Sequence, residues 1–351
     1  MLNKSLKILL MVILIVFATF LLIQTKDESV IKIGVAGHFS GDYASYGVPM
    51  KNAIELAFSE KDPQKEKYQV IYEDDGAESS KAVSVINKLI DIDKVNYILS
   101  AQGSGATSSI IPVVKNKEKI LMITLASAPN LTKNNDYIFR SVPSDSYQGV
   151  KMVDYINNVL ESERVVGLYV NETYGIGIKE IIENNTNSLK SELFKPGTSD
   201  FRTSLLKIKS VNPDTIVLVA RENEYPLLLK QIHELNIDAN IITSETFKDD
   251  KILNNSGDLA EGVITFLANS PDTSVFDKKY KDMFGVEPSA YSIYAYDGAI
   301  ALIKSVEEKK SLADINFSGV SGEFIFDEDG DRSGIQYDVF KVIDGRFVKQ
   351  P

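Results

Sequence analysis

The sequence predicts an α/β protein built as two doubly wound parallel sheets. Three observations carry this. The chain has 351 residues, and the usual scale of roughly 150 residues per domain divides it in two. From Val30 onward, apolar strand-like runs alternate with amphipathic segments, the pattern of a parallel sheet whose crossover helices cover both faces. The alternation then starts afresh beyond "SVPSDSYQG" (Ser141 to Gly149). One sheet is therefore expected on either side of that seam.

In the first half the strands are "VIKIGVAG", "YQVIYED", "VNYILS" and "KILMIT", with helices at "AIELAFSE", "KAVSVINKLIDI" and "IIPVVKN". Val83, Ile86, Leu89 and Ile90 share one helical face. In the second half "ERVVGLYV", "DTIVLVA", "ANIITS" and "GVITFLA" read as strands, and "GIGIKEIIENN" and "YPLLLKQIHELNI" as helices. A long apolar helix, "VEPSAYSIYAYDGAIALIKSVEEKK", follows. The end of the chain, "GEFIFDEDGDRSGIQYDVFKVIDGRF", reads as a hairpin with an acidic turn. That turn has Asp327, Asp329, Asp331 and Asp338 at calcium-loop spacing. Arg332 and Asp338 nevertheless stand where the loop requires glycine and usually glutamate, so a solvated turn is the better account and no metal is expected.

Before Val30 the chain begins with "MLNKSLK", then an uncharged apolar run from Ile8 to Ile23, then "QTKDES". This is the pattern of an export signal. The small residues of a good cleavage site are scarce and no lipobox cysteine exists, which favours an uncleaved anchor over residues 1–25, while a run slightly short of the about 20 residues that span a bilayer leaves late cleavage as the alternative. The basic N-terminal flank places the bulk of the protein outside the membrane. With 44% hydrophobic and 25% charged residues, the remainder is an ordinary globular composition. A net charge of −11 with no basic face excludes nucleic acid as a partner. The chain has no cysteine, so disulfides, thiol chemistry and cysteine-ligated metals are excluded.

Ligands of open parallel sheets sit beyond the carboxyl ends of the strands, and two such ends stand out. "AQGSGATSS" (Ala101 to Ser109) passes from a strand into a helix, whose free N–H groups and dipole favour an anion near Ser104. It lacks both the Gly-Lys-Ser/Thr and the GxGxxG spacing, so a diphosphate is disfavoured. At the adjacent strand end, "LASAPNLT" sets Leu125, Ala126 and Ser127 at the mouth of the neighbouring crevice.

Together with "IKIGVAGHFSGDYASYG", "ILMITLASAPNLT", "IFRSVPSDSYQG", "YGIGIKE" and "LAEGV", this chain resembles the type I periplasmic binding proteins of the leucine/isoleucine/valine class, the solute receptors of ABC importers. The similarity runs in order from Val30 to Phe347. It implies two lobes joined by three hinge crossovers: residues 26–144 plus 271–326, and residues 145–270 plus 327–351. It further implies an amino-acid-like ligand between the lobes and an ABC permease as partner. No cofactor and no catalytic residue are implied, and the protein is expected to be a monomer. Carried over by motif, Ser104, Leu125, Ala126 and Ser127 would hold the ligand's carboxylate and ammonium, with Tyr46 lining the same side. Tyr174 in "NETYG" would close from the second lobe, and Glu245 in "TSETF" would meet the ammonium, since a buried ammonium requires an anion or several acceptors.

The chain departs from the family in two places. Ala220-Arg221-Glu222 replaces the glycine pair and aromatic that commonly follow "TIVLV". Arg221 therefore either faces an acidic or hydrogen-bonding ligand or pairs on the surface with Glu222 or Glu224. The family's frequent first-lobe cysteine pair is also absent, with Ala77 and Gly103 near its places. Tyr291 and Tyr294 either line the cleft or, as is more usual on so apolar a helix, lie in the core. His38 and His233 are the only histidines, and no serine-nucleophile elbow accompanies them. A sensory ectodomain or amide/urea receptor of the same fold is the alternative within binding, and a small-amide hydrolase the alternative outside it.

Overall fold

The computed structural model describes residues 30–133, 136–189 and 191–351. The expected signal or anchor, residues 1–25, lies outside them. No helix among the described residues is long and apolar enough to cross a membrane.

The chain opens with β1 (Ile31–Gly37), α1 (Ala44–Lys61), β2 (Tyr68–Asp74), α2 (Ser79–Asn87), β3 (Tyr97–Ala101), α3 (Ser104–Asn116), β4 (Ile120–Ile123) and β5 (Ile138–Arg140). Their strands form one sheet in the order β2-β1-β3-β4-β5, parallel throughout. Its inner strands β3 and β4 are largely apolar and buried because both faces are covered. Ile86, Leu89 and Ile110 pack on one face. Met50, Ile54 and Leu302 pack on the other, each fully buried side chain contributing roughly 1.5–3 kcal/mol.

After residues 141–144 the chain builds a second sheet from α4 (Asp145–Asn158), β6 (Val165–Val170), α5 (Thr173–Asn185), β7 (Glu192–Phe194), α6 (Arg202–Ser210), β8 (Thr215–Val219), α7 (Tyr225–Glu234), β9 (Asn240–Thr243), α8 (Asp250–Ser256) and β10 (Ile264–Ala268). It then returns to the first sheet through α9 (Ser274–Phe284) and α10 (Ser292–Glu308), whose Phe276, Tyr280 and Leu302 join the α1 core. A two-stranded pair, β11 (Phe317–Gly319) and β12 (Gly322–Phe324), stays on that side. The chain crosses a third time to add β13 (Tyr337–Ile343) and β14 (Arg346–Lys349) to the second sheet, whose order is β14-β13-β10-β9-β8-β6-β7. Three crossovers thus connect two α/β units.

The hairpin expected between "GEFIF" and "YDVFKV" does not form. β12 pairs with β11, and β13 pairs antiparallel with β10 and β14. The acidic stretch between them is the third crossover. The Asp327 carboxylate closes its turn by accepting the Asp329 and Asp331 amides at 3.0 and 2.9 Å. Asp331 is committed to Arg140 of β5, accepting from Nη2 at 2.7 Å and from Nε at 2.8 Å, and to the Thr132 hydroxyl at 2.8 Å. The Arg140 side chain is fully buried, so this bidentate pair ties the crossover to the first sheet.

Candidate functional site

The carboxyl ends of β1, β3 and β4 meet those of β6, β8 and β9 at a cavity of about 270 Å³ between the two units. On the first unit's side, β3 runs through Gln102 and Gly103 into α3, whose N-terminus has no side-chain cap. The Gly103 amide donates to His38 Nε2 at 2.8 Å. This leaves the ring proton on Nδ1, which donates to Asp75 Oδ1 at 2.5 Å, and the Gln102 amide donates to the other Asp75 oxygen. Burial pushes the Asp75 carboxyl up, but His38 and Gln102 outweigh it and hold it below its ordinary range. The loops carrying Ala77 and Gly103, where the family's cysteines would stand, are therefore joined by hydrogen bonds. Both His38 nitrogens are occupied, so the ring has no free lone pair for a base.

On the second unit's side, α5 also begins at the cavity without a side-chain cap. A Cβ on Gly105 would lie 3.8 Å from Thr173 Oγ1, so the N-termini of α3 and α5 face one another. Two positive dipole ends converging on one space favour an anion there. Beside them sits the Glu245 carboxylate, which accepts from Gln148 Nε2 at 2.6 Å. The Tyr174 hydroxyl lies 2.8 Å from Ser244 Oγ and 3.1 Å from each Glu245 oxygen. Burial raises the Glu245 carboxyl, against the lowering effect of Gln148, Tyr174 and Arg221.

Seven of the eight residues expected from sequence line this cavity: Tyr46, Ser104, Leu125, Ser127, Tyr174, Arg221 and Glu245. Ala126 is the correction. Its side chain is buried in the α2–α3 core and its carbonyl accepts from Arg140 Nη1 at 3.4 Å, so it packs into the first unit rather than lining the cavity. Arg221 lines the cavity but pairs with neither Glu222 nor Glu224 through its guanidinium. Its partner is Glu172, while the rings of Tyr43 and Tyr174 lie 5.4 and 5.3 Å from the guanidinium carbon. Burial works against the Arg221 charge and the Glu172 carboxylate outweighs it. Tyr291 is a lining residue too, its hydroxyl 3.4 Å from Glu245.

Sequence reasoning missed the buried Asp75, the ion-pair partner Glu172 and, above all, Asp145. Asp145 opens α4 within "SVPSDSYQG", is only 1% exposed, and accepts from Ser127 Oγ at 3.0 Å. Burial and the Glu245 charge push its carboxyl well up, against Ser127, Arg140 and Arg221.

Two parallel-rich units joined by three crossovers, with paired helix ends and an acid in the cleft between them, make a receptor for a small solute. The family model described as periplasmic binding protein matches residues 30–331. The chain belongs to that family. It is thus a binding protein rather than an enzyme, and its place is extracytoplasmic. It is 24% identical over 344 residues to Leu/Ile/Val-binding protein homolog 2 of Brucella abortus, covering 90% of this chain and 92% of the relative. The leucine binding protein LivK of Thermotoga maritima superposes with a TM-score of 0.81 at 23% identity, over 92% of this periplasmic binding protein and 98% of that chain. The branched-chain amino acid transporter substrate binding protein LivJ of Streptococcus pneumoniae, solved with isoleucine, gives 0.78 at 25% identity over 92% and 100%.

Proposed function

We propose that this protein captures the zwitterionic head of an amino acid between its two lobes and delivers it to an ABC permease, held at the outer face of the membrane by residues 1–25 and acting as a monomer. The convergence of the α3 and α5 N-termini beside the Glu245 carboxylate carries this reading. The ligand carboxylate takes the orphan N–H groups near Ser104 and Thr173. The ammonium meets Glu245, Ser127 and the backbone at Leu125. Tyr46 and the Arg221–Glu172 pair wall the space, and closure about the three crossovers completes the site. Relatives named for leucine, isoleucine and valine support the amino-acid class.

Calorimetric titration of the twenty amino acids tests this, first with the wild type and then with Glu245→Gln. Truncating one member of a buried charge pair costs about 2–5 kcal/mol, so each accepted amino acid should weaken by at least roughly 25-fold. Binding of none of the twenty, or a Glu245→Gln protein that binds as tightly as wild type, overturns the reading.

A further inference from the structure

A second chamber of about 370 Å³ adjoins the first on its hinge side, sharing Ser127, Glu245 and Tyr291 as common walls. Its floor is set by the first and second crossovers, through Val142, Pro143 and Ser270. Four acids line it and no lysine, arginine or histidine does. Two of the four are already engaged: Glu287 pairs with the exposed Lys281, and Asp277 accepts from Thr273. Glu245 already accepts from Gln148 and Tyr174 and faces the ammonium of the ligand head in the reading above, which leaves Asp145 as the carboxylate with an unsatisfied oxygen. The nearby cations are committed elsewhere, Arg140 to Asp331 and Arg221 to Glu172.

Asp145 is the decisive group. One carboxylate oxygen accepts from Ser127, while the other, Oδ1, is buried without any hydrogen-bond partner. Leaving such an atom unpaired is unfavourable, and the residue that carries it borders the chamber. Tyrosine rings complete the enclosure. Tyr291, Tyr294 and Tyr337 line the chamber, the ring of Tyr294 also lying 5.9 Å from the Arg332 guanidinium. Buried carboxylates beside aromatic faces are the setting that recognises an organic cation.

We propose that this hinge-side chamber is a cation subsite that receives the ammonium or guanidinium at the end of the ligand's side chain. Resting on the amino-acid reading above, this makes the preferred ligands basic amino acids rather than branched aliphatic ones. The head remains in the first chamber, and the side chain passes between Ser127 and Tyr291 to reach Asp145.

Three probes separate the two readings: L-lysine, L-norleucine, which has the same carbon chain without the terminal ammonium, and cadaverine, which has the ammonium groups without the carboxylate. Each is titrated calorimetrically into the full chain. Lysine should bind at least about tenfold tighter than norleucine, and Asp145→Asn should abolish that preference while leaving norleucine within about twofold. If Asp145→Asn lacks a cooperative thermal transition, Tyr337→Leu makes the same comparison, with a severalfold loss for lysine alone. Norleucine binding as well as lysine, or a variant that weakens both equally, overturns the subsite. Norleucine binding without lysine or cadaverine also overturns it, yet leaves the amino-acid reading intact. Cadaverine binding alone sustains the subsite and overturns the amino-acid reading. Silence from all three removes the subsite.

Discussion

Replacing Gly177 by alanine should strengthen the ligand-free fold and weaken binding, two effects of opposite sign from one methyl group. Gly177 lies inside α5, and a Cβ there would fall 2.5 Å from Pro129 Cδ and 3.4 Å from Pro129 Cγ of the other unit. A proline ring cannot swing aside as a lysine tip can, so one lobe must back away. Within an isolated helix, glycine is about 0.5–1 kcal/mol less favourable than alanine, and with the lobes apart the variant gains that amount. In the contact seen here, an extra methyl forced against a rigid neighbour costs about 1–3 kcal/mol. At 1.4 kcal/mol per decade the dissociation constant should rise roughly five- to hundredfold. Thermal unfolding without ligand and calorimetry with the best-bound amino acid measure the two effects separately. An affinity equal to wild type would refute the argument, because it would mean that α5 and Pro129 need not meet for the ligand to be held.

Binding should be linked to pH. Asp145 and Glu245 both have carboxyls raised by burial, so each favours the folded state fully while protonated, and that contribution is lost as pH rises from the unfolded value through the raised one. A cationic ligand favours the ionised carboxylates, so affinity should increase with pH across the same window and binding should release protons. Titrations in two buffers of different ionisation enthalpy at one pH read that release directly, and identical heats would contradict it. Asp331→Ala should destabilise the protein by about 3–5 kcal/mol, because it leaves the buried Arg140 guanidinium without its counter-ion. Urea unfolding checks this, and a loss below about 1 kcal/mol would show that the pair is not clamping the crossover.

Much of the fold is legible in the sequence because a parallel sheet covered on both faces writes itself as short unbroken apolar runs, as in "KILMIT" and "DTIVLVA". The terminal hairpin misled for the opposite reason. β12 and β13 are neighbours in the chain, but β13 takes its hydrogen bonds from β10, about seventy residues earlier, and nothing local records such a partner. The strand-end rule located Ser104, Ser127 and Glu245. It could not separate Ala126 from its neighbours, because the α2–α3 core that takes up its side chain is built from residues distant in the chain. Long-range pairing also explains the charges. Arg221 looked beside itself for Glu222 or Glu224, whereas Glu172 arrives from the end of β6. His38 and Asp75 follow the paired residues Gly37 and Asp74, a register that a sequence read strand by strand does not contain. Asp145 stands within "SVPSDSYQG", yet its burial depends on α4, Ser127 and Glu245 coming together.

The His38–Asp75–Gln102 bridge fastens the head of the cavity with protons instead of sulfur. Maturation of that lobe consequently consumes no oxidant, needs no thiol–disulfide isomerase and passes through no mispaired intermediates. Closure of this bridge does not depend on the redox poise of the compartment, because the chain has no cysteine. Reducing agents that dismantle a sulfur-stapled receptor leave this one untouched, and what loosens it instead is acid strong enough to protonate Asp75, whose carboxyl is held low by the same two neighbours that it joins.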